Sequence, residues 1–292
     1  MDDLLVFGVA GFLAAFVDGA LGMGFGPTSS TILLGSGMSP ATTSTVVNLA
    51  KVASGAAGGI AHWRFGNIDH RLVLRLAVPG VMGAVIGTTV LANVDGDQIR
   101  PFLAVLLLLV GLRILVRFSQ RPRVGAPGGI DPDSPAFDER GVGLAGAAGG
   151  VTNGLVGAWG PVVTPFLLHR GLAPRYAVGS VNTAEVAVAA AASASLLASL
   201  GGGGLDIGVV LAMLIGGVIA APLAAYSIRH LPARGLGIAV AALLMATNLR
   251  ELAGWAGIGA ARWGLYALVP TLVGAAALWP RWRAAPQPVA AT

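Results

Sequence analysis

The sequence predicts an all-α polytopic membrane protein built from two inverted repeats, each a re-entrant or broken helix hairpin plus three transmembrane helices, with one extra C-terminal helix. The first observation is composition: 55% of the 292 residues are hydrophobic and only 11% are charged. Soluble globular domains carry about 25% charged residues. The second observation is an internal repeat, and the third is a glycine-rich break in the first apolar run of each half.

Composition also narrows the classes of partner and chemistry. The 18 basic residues exceed the 13 acids and give a formal net charge of +5, but they are scattered between apolar runs. Because they form no continuous basic stripe, nucleic acid is not an expected partner. The chain has no cysteine, which excludes disulfides, thiolate metal sites and cysteine nucleophiles.

Apolar runs long enough to cross a bilayer recur along the chain. A hydrocarbon core of about 30 Å requires about 20 apolar residues per helix. The acidic start, Met1-Asp2-Asp3, lacks the basic region of a secretory signal, so we expect the first run to be retained. The predicted runs are 4–36, 41–62, 72–93, 99–118, 141–170, 175–200, 206–228, 234–250 and 263–280.

A polar stretch divides the chain near its middle. Residues 120–140 include Pro122, Pro127, Pro132 and Pro135 together with four acids, a composition typical of an exposed linker. The predicted organisation is a first transmembrane repeat at 1–118, a polar cytoplasmic linker at 119–140, a second transmembrane repeat at 141–250, and an additional helix and tail at 251–292.

An offset of 134 residues, from position 26 to position 160, aligns the two halves without gaps. Internal duplication of this kind is the usual architecture of secondary transporters. The offset pairs Gly26-Pro27 with Gly160-Pro161, Leu33-Leu34 with Leu167-Leu168, Gly37 with Gly171, Pro40 with Pro174, and Asn48 with Asn182.

The first run of each half is interrupted in its middle. Residues 18–26 and 152–160 form the two breaks, and a proline follows each of them. Proline suits the first turn of a helix because it has no N–H to leave unsatisfied, and glycine permits the tight backbone before it. Each run is therefore either a kinked full span or a hairpin that returns to the side it entered.

The positions of the basic residues separate these alternatives, because Lys and Arg in short loops concentrate on the cytoplasmic side. Lys51 and Arg113 are set aside because they lie inside spans, which leaves 16 basic residues. If both runs cross the membrane fully, nine of these lie on one side and seven on the other. If both runs are re-entrant hairpins, 13 lie on one side and 3 on the other. The sequence therefore favours re-entrant hairpins, which place equivalent loops on opposite sides and make the repeats inverted.

A helix that begins near the bilayer midplane presents free N–H groups and about half a positive charge. Such an end can bind an anion without a cationic side chain. Inversion brings the starts of the two helices that follow the breaks to the same depth in the membrane. Irregular backbone at that depth is tolerated only if it lines a cavity. The alternative is that the breaks only permit close helix packing. We predict one small anion bound by Gly26, Pro27, Thr28, Ser29, Gly160, Pro161 and Val162.

Polar residues of the next helices extend this predicted substrate site. Asn48 and Asn182 are repeat-related, and each amide could donate to an anion or form a helix-to-helix hydrogen bond. Lys51 follows Asn48 by three residues, and Glu185 follows Asn182 by the same distance. These two charges could sense the substrate, couple protons or form a structural salt bridge. Thr183 completes the predicted set.

Four residues are predicted to couple or gate transport: Asp18, Glu185, Phe25 and Trp159. Asp18 could carry a proton or cap nearby amides, and capping is preferred. Phe25 and Trp159 occupy equivalent positions and could gate the pocket.

No metal site is predicted, because the first two histidines lie eight residues apart without a third ligand on the same face. All four histidines lie at predicted span ends, so no catalytic set can be assembled and an enzyme is not expected. They are His62, His70, His169 and His230.

These residues resemble the TauE/SafE sulfite exporter family, also called TSUP, over about residues 1–250. The resemblance is carried by residues 18–27, Leu33-Leu34, Gly37, Pro40, the Thr-rich residues 41–45, and His62 with Gly66-Asn67-Ile68-Asp69, and by a weaker second copy that includes residues 157–165, Gly171 and Pro174. It implies a duplicated carrier of sulfite, sulfonates or related small anions in the bacterial inner membrane.

The chain departs from the family pattern at several positions. Met23 and Phe25 interrupt the family's triple-glycine run, as Ala158 and Trp159 do in the second half. Thr31 stands where a proline is usual, and the ninth helix is additional.

The broken helices predict a secondary transporter of a small anion that works by alternating access around a midplane site. The resemblance implies that it exports a sulfur-containing anion, such as sulfite or an organosulfonate. An anion channel, or an uptake carrier for a different small organic anion, is the alternative. No nucleotide-binding loop or other cofactor site is found, so an ion gradient or the substrate's own gradient would provide the drive. A proton or other coupling ion and a homo-oligomer are left open.

Overall fold

The computed structural model is all-helical over the residues it describes, which are 2–21, 23–119, 136–200, 206–227, 233–258, 267 and 269–275. Ten helices are numbered here in chain order. They are α1 (Asp2–Leu21), α2 (Phe25–Gly35), α3 (Pro40–Arg64), α4 (His70–Asn93), α5 (Gly96–Ser119), α6 (Val142–Val156), α7 (Gly160–His169), α8 (Pro174–Leu200), α9 (Ile207–Ser227) and α10 (Ala233–Trp255).

The predicted runs correspond to these helices, and both predicted breaks are present. The run 4–36 forms α1 and α2, and the run 141–170 forms α6 and α7. Among the described residues, four helices are long and apolar enough to cross a membrane: α4, α5, α8 and α10. The predicted fold class, an all-α polytopic membrane protein, is confirmed. Most of the linker and most of the run 263–280 lie outside the described residues, and 269–275 are helical.

Local sequence accounts for the ends of several helices. The Asp69 carboxylate caps α4, because it accepts hydrogen bonds from the amides of Arg71 at 2.9 Å and Leu72 at 3.2 Å. Gly141 and Gly157 bracket α6 with φ angles of 79° and 68°. This left-handed backbone favours glycine, so Gly157 ends α6 at the break.

The two halves pack against each other in a reciprocal pattern. Helix α4 of the first half packs along α6 of the second, and α9 of the second packs along α1 of the first. Helices α5 and α10 pair with each other, as do α3 and α8. Because α1 to α5 correspond in order to α6 to α10, exchanging the halves reproduces these pairs. This pattern is typical of repeats related by a pseudo-twofold axis.

The turn after α2 lies beside the C-terminal end of α4. It is held by Arg100, whose guanidinium donates to the carbonyl oxygens of Gly37 at 3.2 Å and Met38 at 3.1 Å. Arg100 is in the second turn of α5, which begins at Gly96, directly after α4 ends at Asn93. The first hairpin therefore turns at that end of the helix.

The turn after α7 lies at the other end of α4. Arg170 forms an ion pair with Asp138, and the neighbouring Glu139 forms an ion pair with Arg75 near the start of α4. The start of α6 thus lies beside the end of α7, so this hairpin returns to the end at which it begins. The opposite positions of the two turns favour inverted repeats; their orientation in a membrane stays a prediction.

Single cysteines at the two turns test this orientation, because the chain has no native cysteine. We expect a membrane-impermeant maleimide to label Ser36→Cys on intact cells and His169→Cys only after permeabilisation. Both native side chains are exposed, and both positions avoid the adjacent glycines, Gly37 and Gly171, which have positive φ. Labelling of both variants from the same side would contradict the inverted arrangement.

Candidate functional site

The two helix breaks touch each other in the interior. Gly26, in the first turn of α2, packs on Gly157, which follows α6: a Cβ on Gly26 would lie only 1.9 Å from the carbonyl oxygen of Gly157. Helix α2 begins at Phe25 and α7 begins at Gly160. The N-terminal ends of the two short helices therefore converge on one region.

Donors of the first half satisfy carbonyl groups at the end of α6. The last carbonyls of a helix have no intrahelical partner. The Ser30 hydroxyl donates to the carbonyl oxygen of Val156 at 2.8 Å, and the Ser44 hydroxyl donates to that of Gly154 at 2.6 Å. Neither serine was among the predicted site residues. Their contacts hold the second break against α2 and α3.

A cavity of about 130 Å³ lies where the breaks meet. This is roughly ten times the space that one buried water requires. Its lining also includes Met23, Ser54, Gly55, Gly58 and Gly157, none of which was predicted to bind substrate. Nine of the predicted site residues line it: Asp18, Phe25, Gly26, Pro27, Lys51, Gly160, Pro161, Asn182 and Glu185.

Asp18 caps α2, the short helix that follows the first break. One of its carboxylate oxygens accepts hydrogen bonds from the amides of Gly24 at 2.8 Å and Phe25 at 3.2 Å. The equivalent residue of the second half is Thr152, whose hydroxyl donates to the carbonyl oxygen of Ala158 at 2.9 Å. No described side chain is hydrogen-bonded to the first-turn amides of α7. The start of α2 is thus occupied by a carboxylate. At the start of α7, the amides of Val162 and Val163 donate to the Trp159 carbonyl oxygen at 3.1 Å, and Pro161 has no N–H, so the Gly160 amide is the first-turn donor left for a ligand.

Lys51 joins the two halves at the cavity. Its ammonium donates to the Asn153 side-chain oxygen at 3.0 Å and to the carbonyl oxygen of Gly157 at 2.5 Å, and it forms an ion pair with Glu185. The side chains of Lys51 and Glu185 are only 6% and 17% exposed. Because an ammonium has three N–H donors, these contacts use all of them.

Asn48 is fully buried and does not line the cavity. Its side-chain nitrogen donates to the Ser44 carbonyl oxygen at 2.9 Å, and its side-chain oxygen accepts from Asn153 at 2.7 Å. The structure therefore places Asn48 in a helix-to-helix hydrogen bond. Sequence reasoning missed Asn153, because the offset pairs it with a glycine; its amide inside an apolar run was the available signal.

Asn182, which the 134-residue offset pairs with Asn48, has a different position. Asn182 is half-buried and lines the cavity, so its amide is available to a ligand there. The hydroxyl of the next residue, Thr183, donates back to the Gly179 carbonyl oxygen at 2.7 Å within α8. Thr183 is not among the residues that line the cavity.

Three of the predicted residues near the helix starts do not reach the cavity. Thr28 and Ser29 are fully buried in α2, and their hydroxyls have no hydrogen-bond partner among the described residues. Val162 is half-buried in α7. In this conformation the cavity contacts of both half-helices come from the residues that precede these positions.

The two equivalent aromatic residues have different environments. Phe25 lines the cavity. Trp159 is fully buried, and its indole N–H donates to the carbonyl oxygen of Val181 at 3.1 Å. A Cβ on Gly80 or Gly149 would contact the Trp159 ring, so the ring packs between α4, α6 and α8. Trp159 therefore lies in the core and not at the cavity, where the sequence suggested a gate.

Comparisons with known proteins complement this geometry. The family model described as sulfite exporter TauE/SafE matches residues 7–250. Among curated proteins, the chain is similar to "Probable membrane transporter protein YtnM" of Bacillus subtilis (strain 168), with 37% identity over 267 residues that cover 86% of this chain and 83% of that protein. No solved structure matches the chain significantly. The range matched by the family model contains every residue that lines the cavity.

Proposed function

Because the chain belongs to the sulfite exporter TauE/SafE family, we propose that it is a secondary transporter that exports a small sulfur-containing anion, such as sulfite or an organosulfonate. It is a multi-pass membrane protein, and we place it in the bacterial inner membrane. The substrate would bind in the cavity between α2 and α7, and alternating access of this cavity to the two sides would carry it across.

One observation supports the proposal most directly: two half-helix N-termini and a buried lysine converge on a single small cavity. Helix N-termini favour anions through their free N–H groups and their positive partial charge. The Gly160 amide at the start of α7 is the better candidate, since Asp18 already occupies the amides of Gly24 and Phe25 at the start of α2, and Gly160 lines the cavity. Lys51 adds a positive charge to the same space, and Asn182 adds a neutral donor.

The charges of the cavity suggest a proton as the coupling ion. With Asp18, Lys51 and Glu185 all ionised, the lining carries a net charge of −1. At an effective dielectric constant of about 20, two like charges about 4 Å apart repel by about 4 kcal/mol. A proton that binds to Glu185 would remove one negative charge and release the Lys51 ammonium toward the anion. The proton and the anion would then be carried together. Export would follow the outward gradient of the substrate itself, and an imposed inward proton gradient would drive accumulation in the opposite direction.

Binding can be measured as thermal stabilisation, because a ligand that binds only the folded state raises its stability. The purified protein would be titrated with sulfite, sulfate, thiosulfate, taurine and sulfoacetate. Saturable stabilisation by the sulfur anions at millimolar concentrations or below supports the proposed substrate class. In proteoliposomes, exchange of labelled external substrate for unlabelled internal substrate distinguishes a carrier from the alternative of an anion channel.

In this assay, Asn182→Ala is expected to change anion binding, whereas Asn48→Ala is expected to change stability. Asn182→Ala should lower the anion affinity about tenfold and leave the ligand-free Tm unchanged, because it removes one hydrogen bond to a charged group. Asn48→Ala should lower the ligand-free Tm, because Asn153 loses its buried partner at a cost of about 1–3 kcal/mol. An unchanged anion response in Asn182→Ala would remove this residue from the site.

A further inference from the structure

Two arginines near the C-terminal end of α5 have no role in the site described above. Arg113 and Arg117 lie one helical turn apart, so they are neighbours on one face of the helix. Neither of them forms an ion pair with any acid in the part of the chain that the structure describes. Arg113 precedes the end of α5 by six residues, or about 9 Å.

Two adjacent positive charges without an acidic partner are unusual inside an apolar helix such as α5. Charged side chains within membrane-spanning segments generally pair with a counter-charge or face a water-filled cavity. Arg117 is half-buried, and its guanidinium contacts the Met23 sulfur at 3.0 Å and lies 5.6 Å from the centre of the Phe118 ring. These contacts position the guanidinium but do not neutralise it.

The arginines line a second cavity, of about 220 Å³, which the side chains of Ile114, Val116 and Pro165 complete. Met23 and Pro161 line this second cavity and the substrate cavity alike. The two spaces are therefore adjacent, and these two residues separate them. Methionine has three rotatable bonds, so the Met23 side chain can change rotamer more easily than the proline ring.

The electrostatics of the two cavities are complementary. Clefts that combine like charges with apolar walls concentrate the opposite ion and can raise its association rate by about 10- to 1,000-fold. The substrate cavity itself has two acids and one lysine, so it does not attract an anion over a distance. A cationic approach beside it supplies that attraction.

We propose that Arg113 and Arg117 form an anion-capture vestibule, through which a small oxyanion or sulfonate reaches the cavity between α2 and α7 past Met23. The inference rests on the proposed function for the identity of the anion. The vestibule lies toward the end of α5 that leads into the linker, which the sequence predicts to be cytoplasmic. A vestibule on that side would load substrate for export.

The phosphate of a lipid headgroup has the same chemistry as the anion proposed here. A guanidinium binds phosphate, sulfite and sulfonate oxygens alike through paired N–H donors. The experiment therefore needs one arm with a soluble sulfonate and one with an anionic phospholipid.

The test uses Val116→Cys, which places the only cysteine of the chain inside the vestibule. Its modification rates would be compared for the anionic reagent 2-sulfonatoethyl methanethiosulfonate and the cationic reagent 2-(trimethylammonium)ethyl methanethiosulfonate. The ratio of these rates is normalised to that of Ser36→Cys, which lies at the opposite end of the molecule. We expect a normalised preference of about tenfold or more for the anionic reagent, reduced by added salt.

Arg113→Gln with Arg117→Gln should abolish this preference, whereas Arg140→Gln, an exposed control outside both cavities, should leave it unchanged. Isethionate, the soluble sulfonate, should slow modification of Val116→Cys by the anionic reagent when the protein is in detergent. In the double arginine variant, KM for sulfonate transport should rise about tenfold with little change in kcat.

Two outcomes would overturn the vestibule: a preference that survives loss of both arginines, or one that phosphatidylglycerol abolishes and isethionate does not affect. The second outcome would assign the arginines to lipid. The modification ratio does not depend on transport. Failure of the wild-type protein to bind or transport any sulfur anion would therefore contradict the proposed function separately.

Discussion

Lys51→Gln is expected to weaken anion binding strongly and to destabilise the protein. The substitution leaves Glu185 without its buried partner, and breaking such a pair costs about 3–5 kcal/mol. It also removes the ammonium that we propose turns toward the anion, which should lower anion affinity roughly 10- to 100-fold, since a hydrogen bond to a charged group contributes about 1.5–3 kcal/mol. Thermal melting with and without sulfoacetate measures both effects.

The matched variants separate a structural ion pair from a substrate site. Glu185→Gln should retain anion exchange but lose accumulation driven by a proton gradient, and its sulfonate affinity should no longer rise as the pH falls. The double variant, Lys51→Gln with Glu185→Gln, should recover much of the lost Tm without recovering anion binding. Recovery of transport in the double variant would show that the pair is structural only.

Gly26→Ala is expected to disrupt the contact between the two breaks. Its Cβ would lie 1.9 Å from the carbonyl oxygen of Gly157, which is backbone and cannot move alone. Overpacking of this kind costs about 1–3 kcal/mol and occasionally more. We therefore expect a lower Tm and loss of the anion-induced shift, because Gly26 also lines the cavity.

Gly143→Ala is the matched control for that substitution. It also replaces a helical glycine, in α6, but its Cβ would meet no other atom within 4 Å. Alanine is favoured over glycine inside a helix by about 1 kcal/mol, so the Tm should stay the same or rise slightly. A wild-type Tm and a wild-type anion response in Gly26→Ala would contradict the close contact of the breaks.

Much of the helical framework could be predicted because its causes are local. The bilayer thickness requires apolar runs of a minimum length, and those runs are continuous in the sequence. The breaks were also visible, because glycine followed by proline ends one helix and begins another at Gly26-Pro27 and Gly160-Pro161. The prediction that the two helices beginning at these breaks converge on one region came from the internal repeat, because neither segment indicates it alone.

Equivalence between repeats was a weaker guide to individual side chains. The offset paired Phe25 with Trp159, yet one lines the cavity and the other packs in the core. It paired Asn48 with Asn182, yet only Asn182 lines the cavity. Each side chain meets neighbours from other helices, and those neighbours differ between the halves because the two sequences have diverged.

The sequence by itself determined where the helices lie, where two of them break, and which polar residues sit inside apolar runs, because each of these depends on neighbours along the chain. Only the tertiary structure decided that Lys51 contacts Asn153 and Glu185, and that Met23 separates the site from the two arginines of α5. The contacting residues lie up to 134 positions apart, so their contacts depend on how distant helices pack, which no local pattern encodes.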